Sequence, residues 1–499
     1  MKKQLICLLS IFLLVGCQQL PTVSSSDTTV SVIADKDFSL TKDIFLTEGL
    51  GEKRMSKVSN QSFSDRPLTQ NNILKVDTSA TMAQVDAFGA ALTHSSAHQI
   101  LLYKNKDERK AVLEDLFSSK GADFNTVRIP IGASDFHNEE HVFTCCDTKG
   151  DDGDLLKYFT LSHDQEIIQV IKEIYEIKPD LKIIAAPWSA PSWMKTGSKP
   201  SSKDPDGPSL CGGYLNNQYL NTFCDYLTKF CYQYEDQGID INYLSLENEA
   251  TFNGADYPCM IVTPSQASTI ALSLNTTLPQ KTKLLAYDHN CEDGMYEYLG
   301  EEFAKESISS LFSGIAIHGY GRESIPTGTA NLRELYPDKK VYMTEITEWE
   351  HGSTFAKDLM YVCKNTTIKA LNNGLSGTIY WNLALDSLGK PNLGQYSICY
   401  GVVNIDTRDD GTLSYTKNPA YYGLSHISRI LNLSSEEETN SLKVDTNDSS
   451  LLACAFKTGD DFSFVVCNPT SEKADYSIEI DGHYFSSQLE ASSVISIRI

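Results

Sequence analysis

Basic residues are in short supply in this chain. Lysine and arginine number 42 against 65 aspartates and glutamates, a formal net charge of −23 over 499 residues. Phosphate recognition needs a basic face, so nucleic acid is excluded as a partner. The acidity serves solubility and selects no substrate. The apolar run from Leu5 to Val15 is too short to cross a bilayer. No glycine-rich phosphate turn follows an early strand, which removes the open, doubly wound nucleotide-binding sheet. The 13 cysteines show no repeated spacing and so no disulfide framework. Tryptophan is scarce too. With only four in the chain, the place of each one carries information.

What is present starts at the N-terminus. Lys2 and Lys3 precede the Leu5–Val15 run, which ends in Leu14-Val15-Gly16-Cys17. A basic start, a short apolar core and a small residue before the cut site make an export signal. The Leu-Val-Gly-Cys junction resembles a bacterial lipoprotein signal, in which the cysteine is lipidated and becomes the mature N-terminus. The expectation is a signal over 1–17 and a Ser/Thr-rich flexible tether over 18–37. The protein is then an exported, membrane-tethered lipoprotein at the bacterial cell surface or periplasm, anchored through Cys17. Setting Cys7 and Cys17 aside leaves eleven cysteines, expected as small buried apolar residues.

From Asp86 onward the pattern is strand, loop, helix, repeated. Strands are expected at Asp86–Thr93, Asn125–Gly132, Lys182–Trp188, Ile241–Glu249, Lys283–Asn290, Gly314–Tyr320, Lys340–Ile346 and Gly377–Ala384. Helical periodicity lies between them, as in Asp164–Ile177, Leu215–Tyr234 and Thr354–Asn372. Eight such units predict an α/β fold, a (β/α)₈ TIM barrel over 81–425. Short alternating runs after residue 426 (Leu451–Phe456, Phe462–Cys467, Tyr476–Ile480, Val494–Ile499) read as a β-sandwich over 426–499. Strands within 38–80 complete it, so this smaller side domain is built from both chain ends.

Two strand ends carry carboxylates. Tyr243-Leu-Ser-Leu246 runs into Glu247-Asn248-Glu249, and Val341-Tyr-Met-Thr344 ends in Glu345. Such groups are costly in a packed core unless paired, and the C-terminal strand ends are where a barrel does its chemistry. Glu249 and Glu345 are expected to face each other across one cleft. Glu247, two residues before Glu249 and on the same face of an extended strand, is a rival. Glu348, three beyond Glu345, is another.

Asp86-Ala-Phe-Gly-Ala-Ala-Leu-Thr93, Val127-Arg-Ile-Pro130 with Ser134-Asp-Phe136, and Ala186-Pro-Trp-Ser-Ala-Pro-Ser-Trp-Met-Lys195 resemble the glucosylceramidase family, glycoside hydrolase family 30. So do Glu247-Asn-Glu249, His318-Gly-Tyr320, Met343-Thr-Glu345 and Tyr380-Trp-Asn-Leu-Ala-Leu385, all in the family's order. The resemblance implies a retaining β-glycosidase of the glucosylceramidase type, acting on a β-glucoside (glycolipid or β-glucan) without cofactor or metal. By the same resemblance Glu249 is the acid/base, Glu345 the nucleophile, and Asn248 the partner of the sugar 2-hydroxyl. It also implies that Asp135, Trp188 and Trp381 hold the sugar, and that Arg128, His318 and Tyr320 belong to the substrate-binding set. Trp193 is left to packing.

Two departures touch the leaving-group side. Gly319 stands where the lysosomal branch has a bulky aromatic, and Ala250 where a proline often follows the acid/base. Ceramide as the leaving group is thereby less secure than the β-glucoside itself, and the nearest competing activity is an endo-β-1,6-glucanase on the same scaffold. From another class, a non-catalytic carbohydrate-binding surface lipoprotein is opposed by the presence of both glutamates. His137-Asn-Glu-Glu-His141 fits a zinc-protease spacing, but that chemistry requires a helix. Here the segment reads as a solvated loop.

Overall fold

The computed structural model describes residues 41–499 except 322–323, 348–353, 395–398, 432, 434–436 and 447–448. The expected signal, tether and Cys17, and the rival Glu348, lie outside the described residues. Eight parallel strands close into a barrel in chain order. They are β1 (Ala87–Ala91), β2 (Thr126–Ile131), β3 (Lys182–Pro187) and β4 (Tyr243–Ser245), followed by β5 (Lys283–Asn290), β6 (Phe312–His318), β7 (Lys340–Glu345) and β8 (Gly377–Tyr380). Ala87, Ile184, Tyr243, Leu285, Ala316, Tyr342 and Ile379 meet in its interior, a filled layer rather than a pore. Outside, helices present an apolar stripe to the strands. In Gln165–Tyr175, Ile167, Ile168, Val170, Ile171 and Ile174 are all buried, the spacing of one helical face.

Every expected barrel strand is present, with Ile241–Glu249 and Gly377–Ala384 much shortened. Ile241–Glu249 reduces to Tyr243–Ser245, because Asn248–Thr251 form a turn and Glu249 takes a left-handed backbone conformation, φ 56°. Extended-strand parity therefore fails beyond Ser245, and Glu247 and Glu249 do not share a face.

The second layer is a nine-stranded sheet, and its strands come from both ends of the chain as expected. Asp43–Glu48 pairs with Ser493–Arg498, and Ile73–Gln84 lies between Thr439–Asp445 and Ala474–Ile480. One face of these strands gathers around a single core containing Ile44, Val76, Val444, Phe464, Ile478, Phe485 and Ile497. The other face of several strands joins the barrel core through Phe45, Phe456, Val465 and Val494. His426 spans this junction, its ring nitrogens 2.9 Å from Ser496 Oγ and 2.9 Å from Thr47 Oγ1. Burial holds its pKa down to about 3, so it is a neutral cross-link.

Two expected boundaries move. Residue 80 falls inside the strand Ile73–Gln84, and residue 426 falls inside the helix Pro419–Leu431. That helix has a buried face against the sheet, which is why its periodicity runs on past the expected end of the barrel. All eleven cysteines of the described residues are buried, as expected for small apolar side chains.

One buried carboxyl predicts a pH effect on stability. Glu302, the last residue of the helix Asp293–Glu302, is 1% exposed, and burial alone raises its pKa from 4.5 to about 8. Below about 4.5 the folded and unfolded chains are both protonated there. Between about 4.5 and about 8 only the unfolded chain ionises, so stability falls as pH rises. The Glu302→Gln chain is expected to lose less stability than the natural one across that window, by on the order of 3 kcal/mol. Urea unfolding at the two ends of the window measures it; parallel curves would remove Glu302 from the pH dependence.

Candidate active site

The C-terminal ends of the strands build one cavity of ≈ 220 Å³. Asp135, Trp188, Asn248, Glu249, Tyr320, Glu345 and Trp381 line it, with Phe252, Tyr257, Asn290 and Cys399. Each of the central groups sits where a strand stops. Glu345 is the last residue of β7, Trp188 follows β3, Trp381 follows β8, and Asn248 and Glu249 are held by the turn after β4. Trp188 and Trp381 stack at 5.4 Å with 24° between their planes, and Phe136 meets Trp381 edge-on at 5.7 Å. Such apolar ring faces suit the C–H face of a pyranose, while Asp135 beside them suits its hydroxyls.

Below the floor runs a fully buried polar chain. Arg128 donates from Nη1 to Glu345 Oε2 at 2.7 Å, and from Nη2 to Asn248 Oδ1 at 2.7 Å and Asp288 Oδ2 at 3.0 Å. His318 Nε2 lies 3.2 Å from Asp288 Oδ1, to which the Thr344 hydroxyl also donates. The other ring nitrogen of His318 is 3.4 Å from Glu249 Oε1, and Tyr257 donates to Glu249 Oε2 at 2.8 Å. The two catalytic candidates are thus joined through His318, Asp288 and Arg128. Committing Asn248 Oδ1 to Arg128 leaves its NH₂ as the end that can donate to a substrate hydroxyl.

The electrostatics follow from this chain. Burial pushes Asp288 up, but Arg128, His318 and Thr344 hold it far below the usual carboxylate range. Burial would lower the His318 imidazole, yet Glu345, Asp288 and Glu249 outweigh it and raise the pKa to about 9. Glu249 is raised by burial and held well below the usual range by His289 and His318. Glu345 is raised by burial, with His318 and Arg128 pulling it down and Glu249 adding to the rise. Asp135 is pushed well up by burial and by Glu345. Buried ionised groups demand close partners, and this set supplies two cations among its carboxylates.

Most sequence-derived site residues meet here, with one correction. Arg128 and His318 do not line the cavity. Both are fully buried, with Arg128 bonded to Glu345, Asn248 and Asp288 and His318 facing Asp288 and Glu249, so they orient carboxylates rather than touch sugar. The rival Glu247 is buried away from the cavity; burial raises it well above its ordinary value, against the pull of Lys195. Trp193 packs as expected, its Nε1 donating to Cys146 O at 2.9 Å and its ring edge-on to Tyr219. His137–His141 forms no helix; His141 instead meets Asp204 at 2.8 Å. Gly319 is explained by a neighbour, since a Cβ there would come within 1.9 Å of Ile346 Cδ1.

Asp288, His289, Asn290 and Tyr257 are site residues that the sequence reading does not single out. A signal exists for the first three, because Asp-His-Asn ends the apolar strand β5 just as Glu-Asn-Glu follows β4. Tyr287 and Asp288 both have left-handed backbones, φ 73° and 54°, where the pairing of β5 with β6 shifts register. Together with Glu249 they place three strained non-glycine residues at one site.

Residues 85–431 match the model of the glycosyl hydrolase family 30 TIM-barrel domain. The chain is 27% identical over 368 residues to the endo-1,6-beta-D-glucanase neg1 of Aspergillus fumigatus, covering 71% of this chain and 72% of that one. It is 26% identical over 373 residues to the lysosomal acid glucosylceramidase of Mus musculus, covering 70% and 68%. Among solved structures, the endo-beta1,6-glucanase BT3312 superposes with a TM-score of 0.79 at 28% identity, covering 92% of this chain and 99% of that one.

Proposed function

This chain belongs to glycosyl hydrolase family 30, and from that membership we propose that it cleaves β-glucosides with retention, Glu345 acting as nucleophile and Glu249 as acid, then base. The observation carrying the reading is that both carboxylates open on one cavity while His318, Asp288 and Arg128 connect them underneath. Arg128 holds Glu345 ionised and aimed. Glu345 attacks the anomeric carbon, the bond to the leaving oxygen breaks, and that oxygen takes a proton from Glu249. In the free enzyme that proton rests on His318. An imidazolium beside an ionised Glu249 and a neutral imidazole beside a protonated Glu249 hold the same number of protons. The 3.4 Å contact between the two side chains can therefore pass the proton to the carboxylate.

In the second half Glu249, now ionised, takes a proton from water. The resulting hydroxide attacks the sugar and the ester to Glu345 breaks. The His318 imidazole, neutral at this point, can take that proton on from Glu249 and so restore the starting state. Asn248 donates to the sugar 2-hydroxyl through its free NH₂.

Replacing Glu249 by glutamine is expected to cost about 10²–10⁴-fold in kcat on a β-glucoside whose leaving group needs protonation, and far less on one with an acidic phenol. Steady-state rates on the two substrates check it; equal losses would remove Glu249 from proton transfer.

The leaving group is read in two ways. A ceramide leaving group agrees with the relative named glucosylceramidase. A second glucose, joined through its 6-hydroxyl, agrees with the relatives named endo-1,6-glucanase. The stacked pair Phe252–Tyr257, 5.2 Å apart in the cavity lining beside Glu249, supports the sugar. Chromatography of products from glucosylceramide and from a β-1,6-glucan decides between them. Turnover of neither, with binding retained, would favour a carbohydrate-binding protein instead.

A further inference from the structure

Three ligand atoms converge at one edge of the cavity: one from each of Glu249, His289 and His318, all within 4.8 Å of one another. Glu249 Oε1 is 3.5 Å from the first imidazole nitrogen and 3.4 Å from the second. Both Nδ1 atoms are buried without a well-directed hydrogen bond. The three side chains are 9%, 5% and 0% exposed. Displacing the proton from His318 leaves two imidazole lone pairs and one carboxylate oxygen facing one another, the arrangement a metal ion takes up with release of a proton.

A tetrahedral zinc ion with ligand bonds of about 2.0–2.2 Å separates its ligand atoms by roughly 3.3–3.5 Å. The two edges that meet at Glu249 Oε1 match that spacing, and the third lies within 4.8 Å. The surrounding shell fits too. A metal-bound histidine characteristically donates its other ring N–H to a carboxylate, which fixes the tautomer. His318 does this at 3.2 Å to Asp288 Oδ1, and Asp288 is in turn held by Arg128 and Thr344. Two imidazoles and one carboxylate are a donor set for a borderline divalent ion, not for calcium or magnesium, which take oxygen. Glu249 lines the cavity, so the ion has a way in.

We propose that Glu249, His289 and His318 form a binding site for a divalent cation of the zinc type, and that the bound cation shuts off hydrolysis by occupying the carboxylate oxygen that would otherwise carry the proton. The site rests on the three ligand atoms alone. Only its effect on hydrolysis rests on the role given to Glu249.

The test titrates Zn²⁺ into the whole protein by calorimetry and follows aryl β-glucoside hydrolysis in parallel. One ion per chain is expected, with inhibition that a chelator reverses. His289→Ala is expected to weaken binding by more than the ~10–100-fold that loss of a second-shell partner causes. His289→Gln, which keeps the volume, guards against a folding defect and is expected to weaken it likewise. Absent stoichiometric binding, or binding unchanged in folded His289→Ala and His289→Gln proteins, overturns the site. Stoichiometric, His289-dependent binding without inhibition upholds the site and removes Glu249 from the proton-transfer step instead.

Discussion

Replacing Glu345 by glutamine is expected to abolish hydrolysis of an aryl β-glucoside, with a loss of about 10⁴–10⁶-fold in kcat, the range seen when a nucleophile is removed. The amide keeps the shape of the carboxylate, and its oxygen can still accept from Arg128 Nη1, which donates to Glu345 at 2.7 Å in the natural chain. Folding and sugar binding are therefore expected to survive while the glucosyl ester cannot form. Trapping the natural enzyme with a 2-deoxy-2-fluoro β-glucoside and mapping the labelled peptide gives the complementary result, with label expected on Glu345. Label on Glu348 or another carboxylate would overturn the assignment. A Glu345→Gln protein with undiminished turnover would do the same for the whole double-displacement scheme.

The second large effect is on stability. Arg128 is fully buried with Glu345 and Asp288 both bonded to its guanidinium, and Trp188 lies 4.8 Å from its charge. Arg128→Met keeps an unbranched apolar stem but removes the guanidinium, so Glu345 loses its hydrogen-bonded cation and Asp288 is left with His318 as its one cation. Breaking a buried pair by removing one partner costs about 3–5 kcal/mol, because the charge left behind is uncompensated. Thermal or urea unfolding is expected to show that loss. Adding Asp288→Asn to Arg128→Met is expected to restore part of it, since one of the stranded charges is then gone. A loss below about 1 kcal/mol in the single variant would mean that the carboxylates are held without Arg128. Activity is expected to fall as well, because Asn248 Oδ1 and Glu345 Oε2 lose the donor that aims them.

The parts legible in the chain are those that local chemistry writes directly. The eight strand–helix units follow from apolar runs alternating with helical periodicity, and every strand expected in the barrel is there. Strand-end polar residues mark the mouth, which is why Glu249, Glu345, Asn248 and the two stacked tryptophans stand out. What local chemistry does not write is direction. Glu247 and Glu249 look equivalent by strand parity until the turn after Ser245 and the left-handed Glu249 separate them. Arg128 and His318 are drawn to the site by their motifs yet belong under its floor, supporting carboxylates.

By itself, the sequence determined the fold class, the split origin of the small sheet and which carboxyls were worth comparing, since periodicity and strand-end polarity are properties of neighbouring residues. Only the tertiary structure decided that Asp288 bridges Arg128 to His318, and that His289 and His318 both face Glu249. Those contacts join strands β2, β5 and β6 and the turn after β4, and closure of the barrel, with its register shift at Tyr287, sets the distances between them.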